Sequence, residues 1–552
     1  MCIEPGTVVL EAFYCRRAQV RIRHATNAFG SAVYLSPAPA MANDAIHTGA
    51  SATAIILFAI VIGSTLLLTY FAARRNRSRG DFYVAGGSIS GGQNGLAIAG
   101  DFISASTILG IPAMVLAGNY EAIVYVISTI VGLVLTLLFI VEPLRKLGRF
   151  SVAEVVASRY GGRSIRALTA AISLIISILY LLAQMVAAGG LIQLLLGISY
   201  RYGLAVVAAL MMVYVAFGGM IAATWIQICK AVIMIAGVAI LTIVVLHHAN
   251  FDLPGLYSMA ASNLRIEPQT PLKSVSLFSV FSVGAALAFG IPGLPHLLVR
   301  VLTVPDVVQA RRSMLIALFI NCFVAAVVLL VLSYGTLAFV LHRPDLLDSA
   351  GKLTGGANMA VIHLARITGG EVLFGFVAAV LFATILAVVS GLVVVSAGAV
   401  AHDLYANIFG RGKVSEESEV RAFRLSACGI TAATVMLAIA FENRNVTFLV
   451  GLAFAVAASA SFPLLILSIY WRGMTKRGAL LGSAMGLVSS VGLIALSPTV
   501  WVDVLHHSEP IFSSPYPTLI SMPLAFLTAV VFSFFDRKDP RLMYQRKAYE
   551  IT

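Results

Sequence analysis

The residues in this chain that could do chemistry are few, and they stand where charge is costly. Asp101 follows Gly95-Leu96-Ala97-Ile98-Ala99-Gly100 and precedes Phe102-Ile103-Ser104, a carboxylate inside an apolar run. A charge at the centre of a bilayer costs at least about 2.5 kcal/mol and normally faces a cavity, a pathway or a partner. Asp101 could bind a cation, steady backbone groups released at a helix break, carry a proton, or cap a half-helix. Lys230, in Trp225-Ile226-Gln227-Ile228-Cys229-Lys230, lies near one end of its run. Snorkelling to the headgroups is the first reading for it, and solute contact the second. Gln184 suits a polar contact between helices or a contact with solute. His296, after Gly293-Leu294-Pro295, either gates or caps, and Asp403 reads as the partner of a basic loop. The chain has no HExxH, GxSxG, P-loop or GxGxxG sequence, so neither an enzyme nor an ATP-driven machine is indicated. An ion gradient remains as the source of free energy.

The elements that must position these residues are membrane helices. Of 552 residues, 59% are hydrophobic and 11% charged, and the mean hydropathy is +0.95. Soluble domains have about 25% charged residues. Runs of roughly 20 apolar residues recur at 52–73, 93–118, 121–141, 166–190, 202–217, 225–246, 277–299, 313–341, 371–400, 424–441, 446–470, 477–497 and 516–535. The fold class expected is thus an all-α polytopic membrane protein with about 13 transmembrane helices, since an open strand would leave backbone groups unsatisfied in lipid. Residues 1–50 carry Arg16, Arg17, Arg21 and Arg23 without a long apolar run. They read as a poorly ordered tail or an Arg-rich targeting segment, with Met41 as an alternative start. The five cysteines show no CxxC metal pattern and no disulfide framework.

The loops carry a strong charge bias. With the N-terminus outside and the helices alternating, 25 Lys and Arg fall on the inner side, Arg300, Arg311 and Arg312 among them, and 11 outside. That places the C-terminus in the cytoplasm. The same asymmetry accounts for the net charge of +13 without any need for nucleic acid. Two spans look interrupted. The second contains Gly110-Ile111-Pro112 and the seventh Gly290-Ile291-Pro292-Gly293-Leu294-Pro295. They stand five helices apart, so the second set of five enters from the opposite side, as in inverted-repeat secondary transporters. The expected organisation is an extra helix and basic loop (51–80), a first repeat (81–250), a second repeat (251–475), two C-terminal helices (476–536) and a tail (537–552).

Several segments resemble one family. They are Phe82-Tyr83-Val84-Ala85-Gly86-Gly87 before Gln93–Asp101, Tyr214-Val215-Ala216-Phe217-Gly218-Gly219-Met220 leading into Ala223-Thr224-Trp225-Ile226-Gln227, Gly293-Leu294-Pro295-His296 with Arg300, and Phe382–Val389 running on to His402–Asn407. Over about residues 52–540 the chain resembles the sodium/solute symporter family, and within it the cation/acetate symporter branch. The resemblance implies a five-plus-five inverted-repeat (LeuT-like) core with one extra helix before it and two after. It implies symport of a cation with a short monocarboxylate across the bacterial inner membrane, with no cofactor beyond a co-transported Na+ or H+ and a monomer as the simplest state.

Carried over residue by residue, the family's sodium site falls on backbone at Ala99 and Phe102 and on the span 371–400, with Asp101 at the family's acidic position. The two positions where the family has adjacent hydroxyls become Ala387 and Val388 here, with Thr384 one turn earlier. A shift by one turn makes them Gly391 and Leu392. Only Thr384 and Ser390 offer hydroxyls nearby, few for a hard cation. Coupling by Na+ and coupling by H+ through Asp101 both stay open. The solute pathway is expected along Gln184, Gly100, Gly290, Pro292, Gly293 and Pro295. No intramembrane arginine is counted, so the N–H groups at a helix break are expected to hold the carboxylate. Pyruvate or an amino acid as solute, and a membrane sensor or scaffold built on a transporter core, are the alternatives.

Overall fold

The computed structural model describes residues 52–73, 89–117, 121–147, 152–217, 220–266, 276–341, 343–347, 353–410, 414–442 and 444–536. The N-terminal tail with Met41, the basic segment 74–79, Phe82–Gly87, Gly218, Gly219 and the C-terminal tail 537–552 lie outside them. The described residues are helical, with only an isolated bridge between Leu347 and Leu353.

The helices are α1 (Ala52–Ala73), α2 (Gly91–Phe102), α3 (Ile111–Leu116), α4 (Glu121–Lys146), α5 (Val152–Tyr160), α6 (Arg163–Leu196), α7 (Tyr200–Phe217), α8 (Met220–His248), α9 (Leu253–Ile266), α10 (Leu277–Gly290), α11 (Pro295–Leu302), α12 (Val307–Phe339), α13 (Ala360–Gly398), α14 (Glu416–Ala440), α15 (Val446–Tyr470), α16 (Lys476–Ala495) and α17 (Thr518–Asp536). Among the described residues, ten spans are long and apolar enough to cross a membrane, or eleven when the bent pair Gly91–Phe102 and Ser106–Leu116 counts as one. Two further apolar helices, Ala52–Leu67 and Tyr200–Val213, are shorter. They fall in the expected runs at 52–73 and 202–217 but are too short to count as spans, so ten or eleven spans stand against the 13 expected. The short helices α5 and α9 are additions that the search for 20-residue apolar runs passes over.

Lipid is the solvent of this bundle. Phe319 and Phe323 on α12, Leu425 and Met436 on α14, and Phe534 and Phe535 on α17 are exposed, an apolar surface that water does not tolerate. The protein is a multi-pass membrane protein. Its centre is formed by α13 and α15, whose apolar stretches are almost entirely buried. α13 extends beyond the expected 371–400, because it starts at Ala360, kinks at Gly370 (φ 64°, ψ −163°) and continues as a π-helix from Ala399 to Phe409.

The two interrupted spans exist, but the Gly-Ile-Pro tripeptides do not mark equivalent breaks. The first break is at Ile103 and Ser104, where the chain leaves α2 and bends by 45° before a π segment, Ser106–Gly110, and α3. Gly110-Ile111-Pro112 lies beyond it in helical backbone, with Pro112 in the first turn of α3, where its missing N–H costs nothing. In the second span the tripeptide is at the break itself. Ile291–Gly293 form a 3-10 turn, Leu294 is extended, and α11 begins at Pro295.

What the two glycines share is close packing on α15. A methyl at Gly110 would collide with Thr447 Oγ1 and stand 2.7 Å from its amide nitrogen, and one at Gly290 would collide with the Phe454 carbonyl oxygen. Thr447 and Phe454 are two turns apart on one face of α15. That helix also satisfies groups around the first break, since the Thr447 hydroxyl donates to Ser106 O at 2.8 Å and Asn445 Nδ2 to Gly110 O at 3.2 Å.

Gly110→Ala and Gly290→Ala are expected to lower stability by about 1–3 kcal/mol, the usual cost of overpacking. Gly63→Ala and Gly429→Ala, where an added methyl meets nothing within 4 Å, are expected to leave the melting temperature in place. Thermal unfolding of the detergent-solubilised variants measures the contrast.

Candidate functional site

The site is built from the break in α2. In a continuous helix the N–H of Ser104 would donate to the carbonyl of Gly100. Here it donates to Phe102 O at 2.8 Å, an oxygen that also accepts the Thr107 hydroxyl at 2.9 Å, while Ile103 N–H keeps Ala99 O at 2.8 Å. The Gly100 carbonyl is thereby released at the negative end of a half-helix. The ammonium of Lys230, on α8, donates to it. The same nitrogen donates to Gln227 Oε1 at 3.0 Å, and Gln227 Nε2 donates to the Ala387 carbonyl of α13 at 3.1 Å. Approach this close needs glycine, because a methyl at Gly100 would stand 2.6 Å from the Gln227 carbonyl.

Lys230 is therefore not a snorkelling residue. It is 4% exposed and reaches inward to the break, since a freed carbonyl in an apolar interior is a stronger attractor than the length of side chain to a headgroup suggests. Arg300 is the second correction. Counted from sequence as a loop residue, it lies in α11 and is 2% exposed. Its Nε donates to Asp101 Oδ2 at 2.8 Å and its Nη1 to Thr224 Oγ1 at 2.7 Å. A buried arginine is thus present after all. It survives in the interior because a carboxylate and a hydroxyl meet its fork.

Around this pair α2, α11 and α12 are knitted together. Asn94 Nδ2 donates to Arg300 O at 3.0 Å and to Ser313 Oγ at 3.2 Å, and the Thr303 hydroxyl donates to Asn94 Oδ1 at 3.1 Å. One turn before Arg300, His296 meets the Tyr180 ring edge-on, centroids 5.1 Å apart. Tyr180 and Phe102 belong to the lining of a cavity with Ser106, Thr107, Tyr125, Thr129, Asn321 and Phe454.

The expected site residues divide into two groups. Ala99, Gly100, Asp101 and Phe102 gather at the end of α2. Thr384, Ala387, Val388 and Ser390 lie buried on α13. Gln227 and Lys230 bridge the two groups. Ser390 turns its hydroxyl back to Ala387 O at 2.8 Å, while Thr384 Oγ1 and both amide atoms of Gln184 are buried without a hydrogen-bond partner among the described residues. Gln184 is one turn from Tyr180, on the same face of α6. Gly290, Pro292, Gly293 and Pro295 form the second break and are buried.

Sequence reasoning passed over Arg300 and the roles of Thr224, Gln227 and Lys230. A signal was present, because Thr224, Gln227 and Lys230 recur at three-residue spacing in an otherwise apolar run and so form one polar stripe on a helix.

A sodium:solute symporter family model matches residues 82–486. The chain belongs to the sodium:solute symporter family. Among solved structures it is similar to a substrate-bound, outward-open Na+-coupled sialic acid symporter, with a TM-score of 0.71 and 15% identity over 88% of this chain and 98% of that one. That likeness shows the transporter fold. Weaker likenesses are to Mhp1, a nucleobase-cation-symport-1 family transporter (TM-score 0.49, 14% identity, 83% and 94% covered), and to an Eremococcus coleocola manganese transporter mutant (0.45, 13%, 81% and 94%). At scores below 0.5 these two carry no weight. Family membership makes the chain a non-enzymatic, cation-coupled symporter of a solute, and it supports sodium as a co-transported ion.

Removing one partner of a buried pair costs about 3–5 kcal/mol, because the other charge is left uncompensated. Asp101→Asn and Arg300→Gln are each expected to be destabilised on that scale and to lose coupled uptake. The double variant is expected to recover part of the stability of either single one. A double-mutant cycle on melting temperatures, run beside uptake assays, checks both.

Proposed function

We propose that the protein couples a cation to the uptake of acetate or another short-chain monocarboxylate. The observation that carries this reading is the balance of buried charge around the first break. Two cationic side chains, Arg300 and Lys230, stand near one carboxylate, Asp101. With both bases protonated the cluster has an excess positive charge, which an anionic solute compensates and a neutral sugar does not. In a low-dielectric interior an uncompensated charge is expensive, so arrival of a carboxylate lowers the electrostatic cost of the loaded state.

The cavity suits a small anion with an apolar end. Its lining mixes the hydroxyls of Ser106, Thr107, Tyr125, Thr129 and Tyr180 and the amide of Asn321 with Phe102, Ile111, Val126, Ile130, Leu133 and Phe454. The unpartnered amide of Gln184, one turn away, is a further group able to meet a carboxylate. Sugars need many fixed polar contacts, and this lining is mostly apolar. The segments shared with the acetate branch point the same way. We read the loop-charge bias as placing the N-terminus outside and the C-terminus in the cytoplasm of a bacterial inner membrane.

Radiolabelled acetate uptake into proteoliposomes is expected to require an inward sodium or proton gradient. Propionate, pyruvate and glycolate are expected to compete, and glucose to leave uptake unchanged. Uptake that persists after both gradients are collapsed, or that glucose inhibits and propionate does not, overturns the reading.

A further inference from the structure

The position of Lys230 bears on which cation sits at the break. A cation seat in a transporter core is made from carbonyls that an unwound helix releases and from oxygens of a facing helix. At this break the released carbonyl is Gly100 O. A side-chain oxygen, Gln227 Oε1, stands beside it, and the amide of Gln227 is held in place by the Ala387 carbonyl of α13. That is an oxygen-lined position at the negative end of a half-helix, buried among α2, α8 and α13. One cation already stands in it, on a side chain.

We propose that the ammonium of Lys230 is the resident cation of this seat, so that a sodium ion and the Lys230 ammonium are alternative occupants of the same oxygens. The proposal rests on the cation-coupled reading for its significance, but its test measures sodium without any solute.

Three observations converge on it. First, Lys230 has no carboxylate of its own among the described residues. Asp101 is engaged by Arg300 at 2.8 Å, and the hydrogen-bond partners of Lys230 Nζ among the described residues are neutral oxygens. Neutral carbonyl and amide oxygens are the donors that hard cations take, and an ammonium is a compact point charge of the same sign. Secondly, α13 offers little for a second cation. Ala387 and Val388 have no side-chain oxygen, which leaves the hydroxyls of Thr384 and Ser390 as the side-chain oxygens nearby on that helix. Thirdly, the charged groups that face the position from other elements are Asp101 on α2, already paired, and Arg300 on α11, whose charge repels a free cation. α1, which also packs on α8, contributes no charged residue.

A cation covalently tied to α8 holds the break in place but does not cross the membrane. Sodium binds at these oxygens only when the ammonium leaves them. In that role Lys230 is a specificity-determining residue. It ties α2 to α8 through a bond that must break for the half-helix to move away, and it sets the apparent sodium affinity of the seat.

The experiment compares sodium chloride with choline chloride as stabilisers of the purified full chain, reading the melting temperature without acetate. Lys230→Met keeps the length of the side chain and removes the charge. Its apparent sodium affinity is expected to exceed the wild type's by at least about tenfold, which corresponds to about 1.4 kcal/mol of relieved competition. Equal sodium affinities in the two proteins overturn the proposal. If Lys230→Met does not fold, Ala387→Ser with Val388→Ser decides, because it adds hydroxyls while keeping the lysine. No gain in sodium response in that variant is the expected result, and a gain of tenfold or more shows that the seat was open and overturns the proposal. Failure of acetate uptake in the wild type touches only the proposed solute and leaves this comparison standing.

Discussion

Hydrocarbon offers no hydrogen bonds, so every backbone group that a helix break releases has to be answered from within the protein. The structure around residues 100–110 follows from that constraint. Gly100 O is answered by Lys230, Phe102 O by Ser104 and Thr107, Ser106 O by Thr447, and Gly110 O by Asn445. Lys230 and Thr447 lie in apolar helices where a polar group would otherwise be a cost, and Asn445 caps the helix that carries Thr447. Break and partners are therefore mutually required, and polar residues that look isolated in the sequence of α8 and α15 are its complements.

The same constraint organises charge. A buried arginine needs a carboxylate and hydrogen-bond acceptors, and Arg300 finds Asp101 and Thr224. The pair ties α2, which runs up to the first break, to α11, which starts just after the second.

The shared Gly-Ile-Pro tripeptide illustrates how a motif can be correct in place and wrong in cause. Both copies lie in interrupted spans, yet only the second is at a break. The common demand is for backbones to approach α15 without a side chain between them. Proline is tolerated in both because it falls in the first turn of a helix or in a 3-10 turn, where no N–H is called for.

The sequence by itself determined that lipid is the solvent, where the apolar spans lie, that the second and seventh are interrupted, and that Asp101 is an unusual acid. These follow from composition, length and hydropathy, which act locally along the chain. The family segments added the transporter fold. Only the tertiary structure decided that Arg300 is an interior residue, that Lys230 points to the break, and that α8 rather than a direct contact joins Gly100 to Ala387. Asp101 and Arg300 are 199 residues apart, and Gly100 and Lys230 are 130. The partner of a buried charge is selected by proximity in three dimensions, because the cost of burial is met only by a group that arrives within hydrogen-bond distance, and no local pattern records which one that is.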